Sequence, residues 1–86
     1  MSKRYNEPIR VWGDSREKPQ AFVWRGRLYR VQQVMQLWTV NNGWWQKKPA
    51  HRQHALVEAS GIYGGGVYEL YFEAVKGQWF LAKVMD

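Results

Sequence analysis

The sequence predicts a small all-β domain, an antiparallel meander of five to six strands forming a curled sheet or an SH3-like barrel. Three observations carry this. Turn signals recur at short intervals, apolar residues alternate between them with period two, and no long stretch keeps a helical period. The 86 residues suffice for one domain, 1–86, with residues 1–6 expected as a flexible N-terminal arm. So short a chain buries a modest fraction of its surface and depends on large side chains. It has them, with 6 Trp, 5 Tyr and 3 Phe.

Glu7–Gly13 (EPIRVWG) reads as the first strand, and the polar Asp14–Pro19 (DSREKP) as a loop. Ala21–Trp24 and Leu28–Val31 flank a tight turn, Arg25-Gly26-Arg27. With Arg25 and Gly26 as the loop, Phe22 lies opposite Tyr29, and Trp24 shares their face. In the next stretch Val31, Val34, Met35 and Trp38 fall at i, i+3, i+4 and i+7. The run is two turns long, follows a strand and lacks an N-cap, so a long strand bulged near Gln32-Gln33 is favoured. A short helix near residues 32–38 is the alternative.

Asn41-Asn42-Gly43 is a turn, Gln46–Arg52 a basic connection, and Ala55–Ala59 a strand candidate. Gly61–Gly66 (GIYGGG) leads into a strand and lacks the Lys-Ser/Thr ending of a phosphate loop, so a hairpin turn is expected there. Val67–Val75 and Gln78–Met85 form the last hairpin around Lys76-Gly77. A two-residue loop pairs Phe72 with Leu81 and Ala74 with Trp79. One face then carries Tyr68, Leu70, Phe72, Ala74, Trp79 and Leu81, and the other Glu69, Tyr71, Glu73, Phe80 and Ala82. Trp24, Trp38 and Trp79 are expected in the core.

Cysteine is absent, so disulfides and thiolate metal sites are excluded. MSKRYNEPIRV leads into no apolar run, no signal peptide is expected, and no stretch suits a membrane span, which fits a cytoplasmic protein. The net charge of +6 is unevenly spread. Residues 1–52 hold 11 Lys/Arg and 3 acids, and residues 53–86 hold 2 and 4. Such asymmetry can mark a face for polyanions, or simply solubilise a small domain.

Five pieces, EPIRVW, AFVWRGRLYRVQQVMQLW, the adjacent Trp44-Trp45, VYELYFE and GQWFLAKVMD, lie in order from Glu7 to Asp86. Together they resemble a family of short bacterial proteins classed as a domain of unknown function. A similar segment occurs near the C-terminus of ImuB-like proteins, catalytically inactive relatives of Y-family DNA polymerases. The most specific pieces are F-x-W-R-G-R-x-Y-x-V (Phe22 to Val31) and the spacing of Trp38 to Trp44-Trp45. The resemblance implies a DNA-repair setting, with DNA-repair polymerase components as partners, and no catalytic residues to carry over. Where relatives have aromatic and basic residues after the double Trp, this chain has His54-Ala55-Leu56-Val57.

The acids are few and scattered, and no hydroxyl residue has a histidine and an acid at a catalytic spacing, so no enzyme and no cofactor are expected. His51 and His54 form H-x-x-H without an evident third ligand, which reads as two surface histidines. Basic and aromatic residues are the better pairing. Arg25, Arg27 and Arg30 cluster at the first hairpin, and Lys47, Lys48 and Arg52 follow Trp44-Trp45. Cations bind phosphates, and an exposed indole stacks on an unpaired base, so single-stranded DNA or RNA is the expected partner. Adjacent residues of a strand face opposite ways, making one of Trp44 and Trp45 a surface platform, unless a loop conformation or the N-terminal arm buries both. Tyr71 and Phe80, on the outer face of the last hairpin, form a candidate protein interface. No membrane contact is expected, and the oligomeric state is not readable.

Overall fold

The computed structural model describes residues 3–42 and 50–85. Six strands, all antiparallel, follow the chain: β1 (Lys3–Ser15), β2 (Lys18–Trp24), β3 (Arg27–Asn42), β4 (Ala50–Gly61), β5 (Gly64–Glu73) and β6 (Gln78–Met85). Each pairs with the next, and β6 returns to pair with β1, so hydrogen bonds run round a closed ring. Two long strands divide their length to achieve this. β1 pairs with β6 over Lys3–Ile9 and with β2 over Arg10–Ser15. Residues 3–6, expected in a flexible arm, are therefore strand.

The first hairpin forms as its sequence predicts. Arg25 and Gly26 both have positive φ, 53° and 75°, as a two-residue primed turn requires. Phe22 lies opposite Tyr29, and their rings stack at 5.0 Å. Tyr68 meets both rings, at 5.5 and 5.3 Å. This trio fills one end of the ring interior, and Leu70, Leu81 and Val57 are fully buried beside it. Each such side chain gains about 1.5–3 kcal/mol from burial.

Residues 32–38 are strand, not helix. Register shifts fall between Val31 and Gln33 and between Val34 and Gln36. Each inserts a residue into the alternation, so the inward positions Val31 and Val34 are three apart, a spacing a helix would also give. Their inward assignment follows from their partners, the buried Ala59 and Val57.

The last hairpin has a four-residue turn, Ala74–Gly77, instead of two residues. Gly77 N–H bonds to the Glu73 carbonyl at 2.8 Å, and Ala74 N–H to that of His51 at 3.0 Å. Phe72 consequently pairs with Trp79 and Leu70 with Leu81. The expected register is two residues off over Leu70–Glu73 and one off over Val67–Glu69, where a register shift between Glu69 and Leu70 leaves Ala82 unpaired. Because side chains alternate with period two, the division into faces survives, apart from Ala74, which joins the turn. The turn between β4 and β5 is Ile62-Tyr63, and Gly64–Gly66 belong to β5.

Trp38 leaves the core. It pairs with His54 on the outer face, and the two rings stack at 5.2 Å. Trp24 and Trp79 are half-buried against the core, as expected of them.

Candidate nucleic-acid interface

Alternation fixes what the outer face of β1, β2 and β3 carries. Ile9, Val11, Phe22 and Tyr29 belong to the core or pack against it. Their neighbours Arg10, Trp12, Ala21, Val23, Leu28 and Arg30 therefore point outward. The register sets them in two rows across the strands, Arg10–Val23–Leu28 and Trp12–Ala21–Arg30. Trp12 and Leu28 are 49% and 48% exposed, high for such side chains.

Two grooves flank these rows. One, of about 400 Å³, is lined by Gly26, Arg27, Leu28, Arg30, Ser60, Gly61 and Ile62. The other, of about 380 Å³, is lined by Pro8, Ile9, Arg10, Val23, Arg25 and Gln78. Four arginines thus border one apolar strip. Arg27 and the exposed Tyr63 close the first groove's end, with the guanidinium 4.5 Å from the ring centre. Arg25 is engaged otherwise. It bonds to Glu7 at 2.7 and 3.0 Å and lies 4.9 Å over Trp24, whose Nε1 donates to the same carboxylate. The Arg25 and Trp24 bonds hold the Glu7 carboxyl below its ordinary pKa. Among the described residues, Arg10, Arg27 and Arg30 have no acidic partner.

The opposite side of the ring is organised differently. Trp38, His54, Tyr71 and Phe80 lie across β3 to β6 in one register row, each ring about 5 Å from the next. Acids flank this row. Glu69 accepts from His54 at 3.1 Å, and Glu73 from Arg52 Nε at 3.1 Å. Arg52 also covers the Tyr71 ring at 4.7 Å. Tyr71 is consequently only 5% exposed, whereas Phe80 is half-buried. The outer-face position expected of Tyr71 and Phe80 is observed. Tyr71 is nonetheless covered there, by Arg52 and the adjacent rings.

Of the residues singled out from sequence, Arg25, Arg27 and Arg30 sit together at the β2–β3 end. Arg52 lies far from them, opposite Val40 near the other end of β3. Ten residues of strand separate Arg30 from Val40, roughly 30 Å at ~3.3 Å per residue. The hairpin arginines and Arg52 therefore cannot form one compact patch. Trp44, Trp45, Lys47 and Lys48 lie outside the described residues. His51 and His54, three apart in a strand, face opposite ways, His51 toward Asn41 and His54 toward Glu69.

Arg10, Trp12, Leu28, Ile62 and Tyr63 were not singled out from sequence. For Arg10 and Trp12 the signal was present, since Ile9 and Val11 alternate with them. Ile62 and Tyr63, 85% and 77% exposed, lie within the turn expected at Gly61–Gly66, and the continuous β4–β5 register from Arg52–Glu73 to Gly61–Gly64 narrows the turn to these two.

No curated protein and no solved structure matches the chain significantly. A family model does, over residues 1–86, and the chain accordingly belongs to the domain of unknown function family DUF6504.

Proposed function

We propose that this domain is a non-catalytic, cytoplasmic accessory module that holds single-stranded nucleic acid on the outer face of β1, β2 and β3. The observation that carries this is the apolar strip of Trp12, Val23 and Leu28 bordered by Arg10, Arg27 and Arg30. Such surfaces bind single strands by stacking bases on aromatic rings while cations follow the phosphates. The basic N-terminal half of the chain supplies this face. Glu58, Glu69 and Glu73 stand on β4 and β5, away from it. The resemblance to a segment of ImuB-like proteins supports a DNA-repair setting, with the strand exposed during lesion bypass as the ligand.

Binding of a fluorescent single-stranded oligonucleotide at two salt concentrations tests the proposal. Three phosphate contacts give a log–log salt slope of about −2, so affinity falls about 20-fold between 50 and 200 mM salt. Absence of binding at low salt, or affinity independent of salt, contradicts it.

A second reading, docking to another protein, is favoured at one place. Ile62 and Tyr63 project from the β4–β5 turn beside Leu28, an exposed apolar tip of the kind protein interfaces use. Arg10→Ala separates the two readings, since it weakens the affinity for oligonucleotide while sparing protein capture at the Ile62–Tyr63 tip.

A further inference from the structure

We propose that a hollow between the start of β1 and strands β4 to β6, away from the Trp12–Arg30 face, binds a phosphate dianion, free or as the monoester of a small molecule. Two irregularities open this hollow. Between Arg4–Lys83 and Glu7–Leu81, β1 places two residues, Tyr5 and Asn6, against the single Ala82 of β6. Between Glu69–Lys83 and Leu70–Leu81, β5 places none against it. Both bulges therefore meet at Ala82, whose small side chain lines a hollow of about 290 Å³. Asn6 turns through a φ of 51° there and lines it too. Bulges on barrels re-aim side chains in this way beside functional sites.

The hollow is supplied with donors. Arg4 and Lys83 stand directly opposite each other across β1 and β6, and both line it. Like charges so placed destabilise a sheet, and an anion between them removes that cost. Neither forms an ion pair among the described residues. Tyr71 lines the same hollow, although it is 5% exposed. Its hydroxyl has no hydrogen-bond partner among the described residues, none of whose buried side-chain polar atoms goes unsatisfied, so it opens into the hollow. Burial holds the Tyr71 pKa above its ordinary value, which keeps the proton available to donate. Arg52 lies 4.7 Å over that ring and commits its Nε to Glu73, leaving the terminal nitrogens of the guanidinium as donors.

Charge and size select the ligand. The one carboxylate lining the hollow, Glu69, is turned to His54, whose Nδ1 lies 3.1 Å from it. With Arg52 set against Glu73, two cations remain over that carboxylate, and the chain's net +6 adds to the field. A dianion gains about twice what a monoanionic carboxylate gains from the same cations. Phosphate oxygens also accept charge-assisted bonds from guanidinium and ammonium groups together. Pockets for drug-sized ligands span about 300–1,000 Å³, so this smaller hollow suits the phosphate and a short attached group. The site shares no residue with the Trp12–Arg30 face and does not depend on nucleic-acid binding.

NMR titration of the labelled chain with inorganic phosphate, glycerol 3-phosphate and acetate at physiological salt tests the proposal, with circular dichroism to verify folding. Saturable shifts of the Arg4, Asn6 and Lys83 amides are expected with both phosphates, and acetate is expected to bind more weakly than either. The tighter of the two phosphates identifies the source, the free ion or the monoester. Tyr71→Phe keeps the ring, deletes the donor and is expected to weaken phosphate binding about 10-fold. Lys83→Gln is expected to weaken it by a similar factor. Lys18→Gln removes the same charge at the exposed start of β2 and is expected to change affinity by less than about twofold. No saturable shift with either phosphate overturns the proposal, as does acetate binding as tightly. Tyr71→Phe binding phosphate like the wild type, or Lys18→Gln weakening it as much as Lys83→Gln, also overturns it.

Discussion

The guanidinium of Arg27 lies 4.5 Å from the centre of the Tyr63 ring, joining the β2–β3 hairpin to the β4–β5 turn. Tyr63 is otherwise 77% exposed, so the contact adds only about 0.5–1 kcal/mol to stability. Its larger effect is expected on ligand. A base stacked on the ring is worth about 1–3 kcal/mol. Tyr63→Ala should therefore weaken oligonucleotide binding by roughly 5- to 150-fold, read by fluorescence anisotropy, with little change in melting temperature.

Trp12 and Phe22 separate binding from folding. Phe22 is fully buried among Tyr29 and Tyr68, and Phe22→Ala is expected to cost about 3–5 kcal/mol in urea denaturation. That is enough to unfold much of so small a domain. Trp12→Ala, on the exposed face, should stay within about 0.5 kcal/mol of wild type. Oligonucleotide affinity should fall with Trp12→Ala all the same.

Glu73 makes stability depend on acid pH. Burial pushes its carboxyl upward, but the bonds from Arg52 Nε and the Val75 N–H outweigh burial, and its pKa lies below the ordinary value. A carboxyl lowered on folding contributes fully above its unfolded pKa, about 4.3. That contribution is lost as pH falls through the folded value. Denaturation midpoints should accordingly drop below about pH 4.5. Glu73→Gln should lower stability at neutral pH by on the order of 1 kcal/mol, since Arg52 is partly solvated, and should flatten the acid limb.

Gly26 holds the φ of +75° that sets the first hairpin's register, and a methyl group there would meet nothing within 4 Å. Any cost of Gly26→Ala therefore comes from backbone conformation, about 1 kcal/mol. Thermal denaturation should show that modest loss, with the oligonucleotide salt slope unchanged.

The faces of the strands were more legible in the sequence than their partners. Tyr68, Leu70 and Phe72 lie inward, as alternation implies, although the β5–β6 register is one or two residues away from the expected one. Turn length set that difference. The Glu73 carbonyl accepts from Gly77 across four turn residues, a bond that composition does not reveal. Trp38 was misassigned to the core because two bulges in β3 imitate a helical period. Arg25, Arg27 and Arg30 were legible as a cluster from their spacing alone. The exposed strip beside them was not, because Trp12, Ala21 and Arg30 are neighbours only through strand pairing. Sequence proximity also grouped Arg52 with the tryptophan pair as a partner for the hairpin arginines, and the length of β3 separates them.

The most direct measurement is NMR shift mapping of the labelled domain with a short single-stranded oligonucleotide. The Trp12 indole N–H and the amides of Arg10, Leu28 and Arg30 should move together at low salt and return toward their free positions at high salt. Shifts confined to the Trp38–His54–Tyr71–Phe80 side, or no shifts at low salt, would contradict the assignment of this face to nucleic acid.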